Sequence, residues 1–171
     1  MWLSLEQETK DEAWRIRSRA LLARVFGEDF SFSSSVAHGI NFVMLDDVYG
    51  TVTASQVERF HEEVKKGLPI VLCMHVPFYS DSIARAMTHY WRRGGGRFQS
   101  AAIPDPSGDW LAQRSDPVTQ KFIADLKREP LLKALLVGHL HFDWQESFSP
   151  TAKQYIVGGN YLFRGQEILF A

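Results

Sequence analysis

The chain reads as an α/β domain built on a mixed sheet, and three observations predict it. The runs Ile70-Val71-Leu72-Cys73-Met74 and Leu135-Leu136-Val137 are short, continuous and apolar, the composition of strands buried on both faces. Segments with helical periodicity and their own start signals lie before them, so helices and strands alternate along the chain. Phe30-Ser31-Phe32-Ser33 alternates apolar with polar. With the apolar Ile40 to Leu45 it reads as a hairpin across His38-Gly39, the beginning of a sheet edge.

The elements follow in order. Residues 8 to 26 read as a leading helix in which Ala13, Ile16, Ala20 and Val25, with Trp14, Leu21 and Leu22, give a broad apolar face. Glu8, Asp11 and Glu12 lead while Arg17, Arg19 and Arg24 follow, which complements the helix dipole, and Gly27 suits the stop. Asp46 and Asp47 end the second hairpin strand, a place where carboxylates could also serve as ligands. Thr53-Ala54-Ser55-Gln56 has capping-box spacing, with Gln56 as the cap, and Val57, Phe60 and Val64 continue the helix toward Gly67. The strand from Ile70 ends in His75-Val76-Pro77, where proline stops the ladder.

Residues 78 to 115 are the least regular stretch and read as a variable loop segment. It holds Tyr79, Tyr90, Trp91, Arg92, Arg93, Gly94 to Gly96, Arg97 and Trp110. Its arginines suit a phosphate clamp and its rings suit stacking on a substrate, but a solvated cover is the plainer reading. Asp116-Pro117 then starts a helix, a cap followed by proline in the first turn, with Phe122, Ile123 and Leu126 as its core face. After His141, the runs Phe142 to Phe148, Gln154 to Val157 and Glu167 to Phe170 read as strands, with turns at Ser149-Pro150 and Gly158-Gly159.

Length and composition bound the function. The 171 residues, 45 % hydrophobic and 23 % charged, are one domain's worth, 1–171, able to bury a core. A net charge of −1 argues against a general binder of nucleic acid or acidic membranes. Cys73 is the single cysteine, so no internal disulfide forms, and its place in an apolar strand makes it a core thiol. No run is long enough to span a bilayer, and Met1-Trp2-Leu3-Ser4-Leu5-Glu6 lacks the apolar stretch of a signal peptide. A cytoplasmic setting is expected if Met1 is the true start, and export if a signal lies upstream.

Three histidines carry the chemistry. His75 ends one apolar strand, and His139 and His141 follow the other through Gly138, so all three stand where open α/β sheets place their sites. Imidazole nitrogens ligate zinc, iron or manganese, and Gly138 permits the close backbone approach that a side chain would obstruct. His38 at a turn, His61 between polar neighbours on a helix and His89 among aromatic residues have no partner at ligand spacing.

At these residues the chain resembles the calcineurin-like metallophosphoesterases. The second half of that family runs through a strand ending in Leu-Asp, a Gln-bearing helix, a strand ending in His-x-Pro, a variable segment, a strand ending in Gly-His-x-His, and closing strands. Here the order is Asn41 to Leu45-Asp46, Gln56, His75-Val76-Pro77, Gly138-His139-Leu140-His141, then Tyr155-Ile156-Val157-Gly158-Gly159, covering roughly residues 30 to 170. The resemblance implies the carboxyl half of an α/β/β/α sandwich with a mixed sheet. It implies a metal-dependent phosphoester hydrolase with two divalent ions, Mn, Fe or Zn, in which His75 and His139 serve one ion and His141 the other.

The family's first half supplies Asp-x-His, Gly-Asp-x-x-Asp and Gly-Asn-His motifs, and none is in this chain. Gly108-Asp109-Trp110-Leu111-Ala112 begins like the second but ends in Ala. Gly159-Asn160-Tyr161 begins like the third but carries Tyr. The chain therefore looks like a piece lacking the first-half metal ligands, with a phosphoester substrate and association with itself or with an amino-terminal half. Its isolated activity is expected to be weak or nil, with Asp46 or Asp143 as the acids nearest to being recruited. The other functional class is a non-catalytic remnant or interaction module that keeps the fold.

Overall fold

His38 and Gly39 set the first sheet edge. Both take left-handed backbone angles, φ 50° and 77°, in a two-residue turn whose twist matches that of the strands it joins. β1 (Phe32–Ala37) and β2 (Ile40–Leu45) accordingly pair antiparallel, from Phe32 opposite Leu45 to Ala37 opposite Ile40. β1 begins two residues later than its alternation predicts, because the Asp29 carboxylate accepts from the Ser31 amide at 2.9 Å and holds the approach in a turn. The computed structural model from which this is read describes residues 12–27, 29–92, 107–159 and 165–170.

Local signals account for the central helices. α2 (Ala54–Val64) opens on a complete capping box between Thr53 and Gln56, and α5 (Pro117–Leu126) opens on the Asp116 carboxylate, which accepts from the Thr119 amide at 2.8 Å. Phe60 of α2 meets Phe122 of α5 edge-on, with ring centroids 5.2 Å apart. Both rings are buried in the main core with Val43, Ile70, Leu72, Leu135 and Ile156.

The sheet has six strands in the order β1-β2-β3-β4-β6-β5, where β3 is Ile70–Cys73, β4 Leu132–Val137, β5 Trp144–Ser147 and β6 Lys153–Ile156. β2, β3, β4 and β6 run parallel, and the two edges are antiparallel, so the mixed α/β class is as read. Registered neighbours share a face of the sheet. One row, Val43, Leu72, Leu135 and Gln154, is buried under the helices, whereas the opposite row, Met44, Cys73, Leu136 and Tyr155, is partly open, with Met44 38 % exposed. Cys73, read as a core thiol, is half-buried in this row, and that burial pushes its thiol above its ordinary value.

Two expectations are corrected. Much of 78–115 is helical: α3 (Asp81–Arg92) starts where the Ser80 hydroxyl accepts from the Ile83 amide at 3.1 Å and buries Ile83 and Met87, and α4 (Ser107–Ser115) buries Trp110 and Gln113. His89 thus lies on a helix. Arg93, Gly94 to Gly96 and Arg97 lie outside the described residues. The segment Glu167 to Phe170 is not a strand: it pairs with none of the six strands of the sheet. In α1 (Glu12–Phe26), Ile16, Leu21, Leu22, Val25 and Phe26 are all exposed. Its apolar residues spread around the helix instead of forming one stripe, and the Arg19–Asp46 ion pair at 2.8 Å tethers it to the end of β2.

Candidate functional site

Four parallel strands end at one edge of the sheet, and their continuations carry Asp46 and Asp47 (after β2), His75 (after β3), His139 and His141 (after β4) and Gly158 (after β6). β3 and β4 are neighbours, and the Met74 amide still bonds the Leu136 carbonyl at 3.0 Å, so the two histidine-bearing ends stay in step as they leave the sheet. The Gly138 amide then donates to the His75 carbonyl at 3.1 Å, and a Cβ on Gly138 would come within 4.0 Å of that oxygen. That is ordinary contact, so the expectation that a side chain at Gly138 would obstruct this approach is corrected: the segments run side by side through the hydrogen bond, and a methyl group would fit.

His139 Nδ1 lies 3.1 Å from His75 Nε2, with the ring centroids 5.0 Å apart and the planes inclined at 78°. One neutral ring donating to the other satisfies this contact. The spacing also fits a shared ion, because two nitrogens held at about 2.1 Å by one metal stand roughly 3.0 to 3.4 Å apart at angles of about 90° to 110°. His139 and His141 both have left-handed backbone, φ 66° and 61°, a conformation that costs an L-residue on the order of 1 kcal/mol and that clusters at functional sites. Burial lowers the His141 pKa, and the neighbouring His139 lowers it further. Both effects favour a neutral ring, the form that ligates metal. The Tyr90 hydroxyl of α3 donates to the His141 carbonyl at 3.2 Å, and its ring lies 5.2 Å from that of Phe142.

The structure thus brings His75 and His139 into contact and places His141 on the same loop. Among the described residues, no group of three or more His, Cys, Asp or Glu side chains is arranged to hold an ion. Asp46 is committed to Arg19, and Asp143 accepts from the Gly158 amide at 2.8 Å, where a Cβ on the glycine would lie 3.0 Å from the same oxygen. Gly159 and the buried Trp110 are described, and Asn160-Tyr161 lies outside the described residues. His38 is in the hairpin turn and His61 on α2, the elements where each was read.

What the pattern of residues did not reveal is the frame around His75. Residues 75–79 leave the ladder, yet their backbone is held by side chains. Asp47 accepts from the His75 and Val76 amides, Trp110 and Gln113 donate to the Pro77 carbonyl, Gln154 bonds both the amide and the carbonyl of Phe78, and Gln113 accepts from the Tyr79 amide. Burial pushes the Asp47 carboxyl up to about 7, opposed by those two amides. Polar side chains inside otherwise apolar stretches, such as Gln154 in β6, were the available signal.

No model of a known protein family matches the chain, and no curated protein matches it.

Proposed function

We propose that this chain is the histidine-bearing half of a metal-dependent phosphoester hydrolase of the calcineurin-like type. His75, His139 and His141 are its contribution to a two-ion centre, and carboxylates from further polypeptide complete it. The observation that carries the reading is the contact of His75 Nε2 with His139 Nδ1, 3.1 Å apart, at the carboxyl ends of adjacent parallel strands. Divalent ions at such a centre polarise a phosphoryl oxygen and turn bound water into a nucleophile. The chain's own part is to hold neutral imidazoles in fixed directions. Three neutral ligands offset none of the charge of two divalent ions, so carboxylates from elsewhere are needed for turnover.

The half-covered sheet supports the same reading. A mainly parallel sheet normally has both faces covered, and the open row of Met44, Cys73, Leu136 and Tyr155 is where a further layer would pack. That open face also favours a second reading, an interaction module that keeps the fold without the chemistry. Metal titration separates the two. The hydrolase reading expects Mn²⁺ or Zn²⁺ to bind the chain by calorimetry and His139→Ala to abolish binding, while generic phosphoester hydrolysis stays near background even with metal. No binding by the wild-type chain would favour the interaction module. Robust turnover abolished by His139→Ala would show that acids within the chain complete the centre. Light scattering at micromolar concentration should show association through the open face; a clean monomer would argue against a missing layer.

A further inference from the structure

We infer that Asp47 is a positioning residue for the histidine centre: its carboxylate fixes the backbone that leaves β3, and so aims the His75 ring at His139. The inference deepens the metal-centre reading above and rests on it for the purpose of the aim, though the clamp itself is a matter of geometry.

Asp47 is 1 % exposed, and among the described residues no cationic side chain pairs with it. Its oxygens are directed at backbone instead: Oδ1 accepts from the His75 amide at 2.7 Å and the Val76 amide at 3.1 Å, and Oδ2 lies 3.1 Å from the same Val76 amide. A buried carboxylate is a costly way to satisfy two amides. An asparagine Oδ1 could still accept from both amides, as Oδ1 of Asp47 does, but its Nδ2 donor would then face the Val76 amide where Oδ2 now accepts, and a serine hydroxyl offers one acceptor atom on a shorter arm. What the carboxylate adds is two acceptor atoms on one rigid plane, which ties successive amides in a single orientation.

Asp47 is itself held. Its carbonyl accepts from the Gly50 amide at 2.6 Å, closing a turn in which Gly50 takes φ 75°, and it follows Asp46, which is fixed by Arg19. On the other side, the His75 carbonyl is bonded by the Gly138 amide, one residue before His139. A continuous frame therefore runs from the end of β2 through Asp47 to both polar groups of the His75 backbone, and on to the segment bearing His139. His75 is an exposed side chain, so the placement of its backbone sets where its ring can reach. Downstream, Gln113, Trp110 and Gln154 restrain residues 77–79 without touching the His75 amide or carbonyl.

The test has a metal-free arm and a metal arm, both on the full chain. In the metal-free arm, long-range ¹H–¹⁵N spectra report the ring nitrogens of His75 and His139. Wild type should show the signature of an N–H···N contact, and Asp47→Asn and Asp47→Ser should move His75 toward a free imidazole. Gln113→Ala, which loosens the same segment further along, should leave the rings unchanged at comparable loss of stability. In wild type, hydrogen exchange should find the His75 and Val76 amides protected although they lie outside the ladder. That measurement keeps the inference testable if the Asp47 variants do not fold. Unchanged His75 signals in a folded Asp47 variant, or unprotected amides in wild type, overturn it. In the metal arm, Co²⁺ is the probe, followed by its visible absorption. Asp47→Asn should weaken binding about 10- to 100-fold, the usual effect of losing a group that orients a ligand. Failure of wild type to bind Co²⁺, with the ring signature intact, defeats the metal-centre reading and leaves the clamp standing. Equal Co²⁺ affinity in wild type and variant defeats the positioning role.

Discussion

Gln56→Glu separates a helix cap from a tertiary clamp. As a cap, Gln56 needs only its Oε1, which accepts from the Thr53 amide at 2.8 Å, and a glutamate would serve as well in a capping box. Its Nε2, however, donates to the Ser31 carbonyl at 2.7 Å and to the Asp46 carbonyl at 2.8 Å, tying α2 to the start of β1 and the end of β2. Glutamate has the same shape but presents an oxygen to both carbonyls. Each carbonyl keeps another donor, the Asp46 amide on Ser31 and Arg19 on Asp46, so neither is orphaned. The loss is then two hydrogen bonds at about 1 kcal/mol each, plus about 1 kcal/mol or more for oxygen facing oxygen in a site that is 1 % exposed, together about 3 kcal/mol. Urea unfolding at neutral pH, followed by circular dichroism, measures it. Burial raises the pKa of such a carboxyl, and the protonated acid can donate to one carbonyl, so the deficit should shrink as the pH falls toward 4. A Glu variant within about 0.5 kcal/mol of wild type would refute the argument and return Gln56 to the role of a simple cap.

The left-handed backbone at His139 predicts that His139→Gly unfolds at a higher denaturant concentration than His139→Ala, by about 1 kcal/mol, although both lose the contact with His75; equal stabilities would remove strain from the account. At Glu63, burial raises the carboxyl pKa, but hydrogen bonds from Lys66, Asn41 and Ser34, with the charge of Lys66, outweigh it and leave the group below its ordinary value. Its stabilising contribution is therefore present above the unfolded value near 4.5 and lost as the pH falls through the lower folded one. Thermal melts of Glu63→Gln should differ most from wild type near neutrality and converge in acid, and a constant difference would count against this linkage.

The parts of this protein legible in its sequence are those set by near neighbours. The His38-Gly39 hairpin, the Thr53 to Gln56 box, the Asp116-Pro117 helix start and the apolar runs of β3 and β4 each rest on backbone preferences or hydrogen bonds within a few residues, and each sits where its pattern put it. The adjacency of His75 and His139 also followed, because the carboxyl ends of neighbouring parallel strands share one edge of the sheet. Long-range packing decided the rest. Glu167 to Phe170 carries a strand's composition but pairs with no strand of the sheet, the apolar residues of α1 lie exposed, and the segment after β3 is a helix whose Ser80 cap is hidden among loop-like neighbours. Asp47 is the sharpest case. Its carboxylate serves amides 28 and 29 residues away, and a bond between groups so distant in sequence leaves no periodic trace, because only the meeting of β2 with β3 creates it.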